Sequence, residues 1–209
     1  MKSLRPWLAL LPVVFGMGLL GCEEEGGDSR NIVDVFSIND NLPLLSDVYN
    51  FGANPDSSAP QDDFIPADVV EVTFISRRHD SALTSVDPGT PFGKVSFTSY
   101  DVSFGGGGGA DLDGDTNVDL ANFTAPMNAV VPIDGAGQGY ILLISGAQKV
   151  QEPISCLGPV GGGTCGTNTA AEYAVNAIIT FHGVEDASGD EVTVTRGLTI
   201  RIAQFGDDN

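Results

Sequence analysis

Apolar and polar residues alternate with a period of two along most of the chain after Asn31. The alternation is clearest in residues 68–77, 94–104 and 173–181, where Val, Ile, Phe, Tyr or Ala recurs at every second position. A period of two is typical of a β-strand that buries one face. Near Ser99 the phase of the second window slips by one residue, which predicts a β-bulge at that point.

Further apolar segments predict additional strands. A continuous apolar run at 140–145 is typical of a strand covered on both faces, shorter candidates lie at 32–38 and 127–133, and 192–202 completes a C-terminal pair. Clusters rich in Gly and Pro separate these segments, and none of them carries a sustained helical face with caps. We therefore predict an all-β, antiparallel sandwich of about seven to nine strands in one domain, residues 31–206.

The N-terminal region has the pattern of a secretory signal. Lys2 and Arg5 precede an apolar run at 7–20. As a helix, this run would span roughly 21 Å, which is short of the hydrocarbon core of about 30 Å. A signal segment is therefore favoured over a permanent transmembrane helix.

The apolar run ends in Leu19-Leu20-Gly21-Cys22, which resembles the lipobox of bacterial lipoproteins. The resemblance implies that residues 1–21 are removed and that Cys22 carries a diglyceride and a further acyl chain such as palmitate. Residues 22–30 would then form a lipidated, acidic tether. This predicts a chain anchored by lipid in the cell envelope, at the periplasmic or surface face of the outer membrane. The alternative is a plain secretory signal with an incidental cysteine.

Residues 177–194 read as a strand, a glycine, an acidic turn with a second glycine, and another strand. This pattern resembles the closing hairpin of immunoglobulin-like domains and is similar to uncharacterised envelope lipoproteins of Gram-negative bacteria. The resemblance implies an immunoglobulin-like arrangement for the predicted sandwich.

Two further cysteines, Cys156 and Cys165, flank a glycine-rich segment. After export they would enter an oxidising compartment, where a structural disulfide between them is expected. A redox-active pair is disfavoured because it normally requires Cys-x-x-Cys spacing at a helix N-terminus.

An acidic loop at 110–120 has carboxylates at alternate positions, followed by one more. This spacing predicts a structural Ca²⁺ site, because a hard cation with a flexible oxygen shell suits such a loop. The expected ligands are the side chains of Asp111, Asp113, Asp115 and Asp119 and the carbonyl of Asn117. The alternative is a solvated acidic loop that binds nothing tightly.

Residues 111–120 also resemble the calcium loop of integrin-type FG-GAP repeats. Thr116 stands where that pattern usually has Gly, and a β-branched residue there predicts a backbone that is not left-handed.

Charge and composition restrict the function. The chain has 9 Lys and Arg against 28 Asp and Glu, a net charge of -19 at pH 7, which excludes nucleic acid as a partner.

His79-Asp80-Ser81 has the residue types of a catalytic triad, but neighbours along a strand point to opposite faces. His182 is expected at a turn or a sheet edge. No catalytic constellation is found, and we predict that the protein is not an enzyme.

The expected function is that of a membrane-anchored envelope lipoprotein with a structural, adhesion or assembly role, stabilised by calcium. Its partner would be another envelope protein. The alternative is a ligand-binding module for carbohydrate in which calcium supports the site. Aromatic side chains in apparent loops would then contact the sugar: Phe51, Phe64, Phe92 and Phe123.

Overall fold

The computed structural model describes residues 31–49, 64–78, 93–105, 108–157 and 170–205. Within these residues the chain forms ten strands: β1 (Asn31–Ile38), β2 (Leu44–Asp47), β3 (Asp68–Arg78), β4 (Val95–Ser103), β5 (Gly109–Ala110), β6 (Leu120–Ala121), β7 (Phe123–Val131), β8 (Ala136–Ile144), β9 (Glu172–Glu185) and β10 (Glu191–Ala203). One short helix, α1 (Gly146–Lys149), follows β8, and 3-10 turns lie at Asn39–Asn41 and Ile154–Leu157.

The strands form two main sheets and a small ribbon. One sheet has the order β1-β3-β8, the other has the order β2-β10-β9-β4-β7, and β5 pairs with β6. The neighbouring strands are antiparallel, except that the short β2 runs parallel to β10. The prediction of an all-β, largely antiparallel sandwich is confirmed, and eight of the ten strands are longer than two residues.

The order of the strands is that of an immunoglobulin-like sandwich. The strands of immunoglobulin domains are lettered A to G in chain order. With β1 as strand A, the smaller sheet contains β3 as strand B and β8 as strand E. The larger sheet contains β4, β9 and β10 as strands C, F and G. The predicted closing hairpin is β9–β10, which is paired continuously from Glu172 with Ala203 to Glu191 with Val184.

The core lies between the two sheets and is built from the alternating apolar positions. Phe74 on β3 stacks on Phe97 of β4, with ring centroids 4.4 Å apart, and meets Phe181 of β9 edge-on at 5.0 Å. Rings from both sheets therefore pack directly against one another. Aromatic side chains bury about 150–250 Å² each, so this contact stabilises the packing of one sheet on the other.

The bulge predicted near Ser99 is present, since the register of β4 shifts between Phe97 and Ser99 against both of its neighbours.

The expectation that the run at 140–145 is covered on both faces is wrong, because Tyr140 is 65% exposed. β8 is an edge strand whose outer face has no covering layer in the described part of the chain. Tyr140 tolerates this position because its hydroxyl reaches Glu71 at 3.2 Å.

A tyrosine connects the two sheets at the free edge of β8. The Tyr100 hydroxyl donates to the Leu142 carbonyl and accepts from the Leu142 N–H, both at 2.9 Å. Tyr100 belongs to β4 of the larger sheet, whereas Leu142 belongs to β8 of the smaller one. One side chain thus satisfies a backbone donor and an acceptor that an edge strand leaves unpaired.

Candidate functional site

The acidic loop projects from the small ribbon that β5 and β6 form between β4 and β7. Its base is fixed by the pairing of Ala110 with Leu120 and by a 2.8 Å hydrogen bond from the Asp119 N–H to the Ala110 carbonyl. Leu120 is fully buried in the core. A rigid base therefore holds an exposed tip that carries the carboxylates.

The tip is folded by hydrogen bonds from its own backbone to its carboxylates. Asp111 accepts from the N–H groups of Gly114 at 2.7 Å and Thr116 at 2.9 Å. Asp113 accepts from the Asp115 N–H at 3.1 Å, and Asp115 accepts from the Asn117 N–H at 2.8 Å. These bonds turn successive side chains inward.

Three of the predicted ligands converge. Asp111, Asp113 and Asp115 are all exposed, and one oxygen from each lies within 4.8 Å of the others. Two oxygens on opposite sides of a Ca²⁺ ion are roughly 4.6–5.2 Å apart, because each Ca–O distance is about 2.3–2.6 Å. The convergence of these three carboxylates is compatible with one shared cation, and calcium as that cation stays a prediction.

The other two predicted ligands are placed differently. Asp119 lies outside the group of three, and one of its oxygens accepts the Leu112 N–H at 2.6 Å. Burial raises the pKa of the Asp119 carboxyl above its ordinary value, and the neighbouring loop carboxylates raise it further. The Asn117 side chain donates to Asp115 at 2.6 Å, and the role of the Asn117 carbonyl stays a prediction.

The backbone expectation for Thr116 is wrong. Its φ is +77°, and Gly114 two residues earlier has a φ of +82°. The loop places Thr116 in the left-handed region so that its N–H can reach Asp111. A left-handed backbone costs a residue with a Cβ roughly 1–2 kcal/mol, which this hydrogen bond partly offsets.

A cavity of about 1050 Å³ opens between the acidic loop and the start of β9. Asp111 borders it on one side, and Glu172 and Asn176 border it on the other. Burial, followed by the charges of Asp113 and Asp119, raises the pKa of the nearby Tyr173 hydroxyl. The lining also includes apolar side chains such as Phe104 and Ile178. Glu172 accepts from Arg201 at 2.6 Å, and Asn176 accepts the Thr199 hydroxyl at 2.9 Å.

His182 is placed differently from its prediction, since it lies within β9 between β10 and β4. Its Nε2 lies 2.8 Å from Asp101, whose other oxygen accepts the Thr124 hydroxyl at 2.5 Å. The Thr124 bond and then the His182 bond lower the pKa of the Asp101 carboxyl. This exposed cluster ties three neighbouring strands together, as polar cross-strand pairs do.

A buried ionic cluster was missed by the sequence analysis. Lys149 of α1 is 0% exposed, and its Nζ donates to Asp68 at 2.9 Å and to the Asp47 carbonyl at 2.6 Å. The second Asp68 oxygen accepts the Ser46 hydroxyl at 2.6 Å. Burial raises the pKa of the Asp68 carboxyl, against the opposing effects of Ser46 and Lys149. No sequence signal distinguishes Lys149 from a surface lysine, because its burial depends on three separate segments.

Several predicted residues lie outside the described residues, and the predictions that rest on them stay predictions. Cys22 of the lipobox and Cys165 of the expected disulfide are two of them, whereas Cys156 lies in the described 3-10 turn Ile154–Leu157. Phe51, Phe92 and the triad-like segment 79–81 are also outside.

The two remaining loop aromatics differ in exposure. Phe64 is exposed, as a sugar-stacking residue would be. Phe123 instead begins β7 and packs edge-on against Tyr100, with ring centroids 6.3 Å apart. The expectation that Phe123 lies in a loop is therefore wrong.

Within the described ranges, no helix has both the length and the apolar character needed to cross a membrane. Comparison with known proteins found no matching family model, no matching curated protein and no matching solved structure. The β-sandwich architecture of this chain is therefore shown by its own strand order and core.

Proposed function

We propose that this protein is a lipid-anchored lipoprotein of the bacterial cell envelope with a non-enzymatic structural, adhesion or assembly role. The observation that carries the proposal is the position of Cys22, which directly follows Gly21 at the end of the only long apolar run before the sandwich. Two or three acyl chains on this residue would give stable membrane anchoring, whereas one chain gives marginal anchoring.

The length of the tether supports a domain held close to the membrane. Eight residues separate Cys22 from Asn31, the first residue of β1. Fully extended, they reach roughly 28 Å. The net charge of -19 disfavours adsorption to anionic lipid, so attachment depends on the acyl chains.

The outer face of the three-stranded sheet supports a role in adhesion or assembly. Phe36 on β1, Val69 on β3 and Tyr140 on β8 are all exposed on this sheet. Exposed apolar side chains grouped on one face are typical of protein-interaction surfaces. The proposed partner is another envelope protein.

A structural calcium ion in the acidic loop belongs to the same proposal. Asp111, Asp113 and Asp115 would hold the ion, which would neutralise their mutual repulsion and stiffen the excursion between β4 and β7. The ion has no reaction to perform in this account.

Carbohydrate binding is the second candidate function, and the cavity beside the loop favours it. Glu172, Asn176 and Asp111 border a space large enough for a small sugar, whose hydroxyls would compete with Arg201 and Thr199 for the Glu172 and Asn176 oxygens. Binding of soluble glycans to the calcium-loaded protein, lost on substitution of Asn176 by Ala, would favour this candidate over a purely structural role.

Palmitate labelling and fractionation of cells test the anchor. The full chain is expressed in a Gram-negative host alongside Cys22→Ala and, as a control in the same tether, Ser29→Ala. The wild-type and control proteins should incorporate labelled palmitate and require detergent for release, whereas Cys22→Ala should incorporate no palmitate. Palmitate incorporation in Cys22→Ala equal to that of the wild type would contradict the proposal.

A further inference from the structure

Lys149 is the most unusual ionisable residue of the described chain. A lysine that is 0% exposed is rare, because burial removes the hydration of the ammonium group. Its Nζ is held by two acceptors, Asp68 Oδ1 at 2.9 Å and the Asp47 carbonyl at 2.6 Å. Asp68 itself is only 8% exposed.

The two oxygens of the Asp68 carboxyl group have different hydrogen-bond partners, which fix the orientation of the group. The Ser46 hydroxyl donates to Oδ2 at 2.6 Å, while Oδ1 faces the Lys149 nitrogen. The two oxygens therefore differ, because Oδ2 accepts from the Ser46 hydroxyl and Oδ1 accepts from the Lys149 ammonium. Attractive energy alone is a weak reason to bury such a pair, because desolvation opposes it.

We propose that Lys149 and Asp68 condense to form an intramolecular amide bond. Nζ forms a bond with Cγ of Asp68, and the Cγ–Oδ1 bond breaks. Two protons from the Lys149 ammonium leave with Oδ1 as one molecule of water, and the third stays on the amide nitrogen. The ammonium and carboxylate charges cancel, so the step requires no oxidant, reductant or other reactant.

The geometry brings the two reacting side chains into contact and places a hydrogen-bond donor beside Oδ2. A reacting pair held at contact distance gains the advantage of proximity over a bimolecular reaction. The Ser46 hydroxyl lies where it would stabilise negative charge on Oδ2 as the tetrahedral intermediate forms. Burial also raises the pKa of the Asp68 carboxyl, which favours the protonated form whose hydroxyl can leave.

The product satisfies the same hydrogen-bond partners without buried charge. The amide N–H takes over the bond to the Asp47 carbonyl, and the amide oxygen keeps the bond from Ser46. The link would join α1 to β3 between residues 81 positions apart in the chain. β3 could then no longer separate from the segment that connects β8 to β9.

The chain contains a matched control for this chemistry. Lys94 and Asp186 form an ion pair at 3.3 Å, with side chains 38% and 30% exposed. The Ser96 hydroxyl donates to Asp186 at 2.8 Å, as Ser46 does to Asp68. Water has access to the Lys94–Asp186 pair, however, so it should stay a salt bridge. Apart from Lys2 in the predicted signal, Lys94 and Lys149 are the only lysines of the chain.

Peptide mapping of the full-length protein purified from cells tests the proposal. After unfolding, reduction and trypsin digestion, we expect peptide 31–77 joined to 95–196, uncleaved after Lys149 and lighter by the mass of one water. Lys94→Arg, which keeps the trypsin site after residue 94, should retain this product, and Lys149→Met should lack it. Separate peptides 31–77, 95–149 and 150–196 from the wild type would overturn the proposal, as would a water loss mapped to any other pair.

Discussion

Thr116 shows how a single residue carries strain at the tip of the acidic loop. Its φ of +77° is left-handed, yet its side chain is β-branched. The cost of this left-handed backbone is offset because the Thr116 N–H and the Gly114 N–H both donate hydrogen bonds to Asp111. The carboxylates can converge only if the backbone turns at both positions.

Replacing Thr116 with Gly should stabilise the protein. Relief of the left-handed strain is worth roughly 1–2 kcal/mol, and the greater freedom of glycine in the unfolded chain removes about 0.4–1 kcal/mol of that gain. We expect a net increase of about 0.5–1 kcal/mol in the free energy of unfolding, measured with urea. Thr193→Gly on the exposed face of β10 is the control and should destabilise. A loss of stability in Thr116→Gly would contradict the account of the strain.

Asp119 couples the stability of the loop to pH. The pKa of the Asp119 carboxyl is raised in the folded protein, so the native state favours the protonated form. The protonated carboxyl therefore contributes to the free energy of unfolding at low pH, and this contribution is lost as pH rises through the folded pKa. Asp119→Asn keeps an acceptor for the Leu112 N–H and removes the charge. Without calcium at pH 7 this variant should be more stable than the wild type by about 0.5 kcal/mol.

Thermal melts between pH 7 and pH 4 measure the difference. The advantage of Asp119→Asn should shrink as pH falls toward the ordinary carboxyl range, because the wild-type residue becomes protonated there. A stability advantage of Asp119→Asn that increases as pH falls would contradict a raised pKa of the Asp119 carboxyl.

At the scale of the elements, the Tyr100 hydroxyl holds the free edge of β8. It satisfies both the N–H and the carbonyl of Leu142. Tyr100→Phe should lower the free energy of unfolding by about 1–3 kcal/mol, because it leaves these partly buried groups unpaired. Tyr140→Phe, which loses only an exposed bond to Glu71, should cost less than about 0.5 kcal/mol. Equal losses in the two variants would show that the edge contact has no special role.

Residue periodicity was sufficient to predict the long strands. In β9 five apolar residues at alternate positions point into the core, so the pattern directly reflects burial. β2 was missed because four residues are too few for a period of two to be recognised, and its parallel pairing with β10 is a tertiary contact. α1 was missed because its four residues carry only a capping box, formed by Ser145 and Gln148.

The candidate sites were predictable to different degrees. The alternate spacing of carboxylates predicted that Asp111, Asp113 and Asp115 lie together, because a tight loop keeps residues that are close in sequence close in space. Local spacing gave no information on the Lys149 cluster, whose members lie on β2, β3 and α1. His182 was misplaced because the following Gly183 reads as a turn residue. In β9 that glycine allows Phe97 to pack closely, since a Cβ there would lie 2.8 Å from the Phe97 ring.

At the scale of the whole molecule, the large negative charge makes calcium a candidate stabiliser. A ligand that binds only the folded state, at a hundredfold excess over its Kd, adds about 2.7 kcal/mol to the free energy of unfolding. Calcium should therefore raise the melting temperature of the wild type, and Asp113→Ala should abolish the rise. Asp34→Ala, which removes an exposed charge on β1, should retain it. A wild-type melting temperature unchanged between millimolar calcium and chelator would contradict a structural ion.

The proposed lipid anchor would determine where this acidic sandwich acts, and the modification of one peptide tests it. Mass spectrometry of the mature N-terminus, taken from the membrane fraction of cells expressing the full chain, tests it most directly. The mature chain is expected to start at Cys22 and to carry a diglyceride on sulfur and an acyl chain on nitrogen. A mature protein that retains residues 1–21, or one whose Cys22 is unmodified, would contradict it.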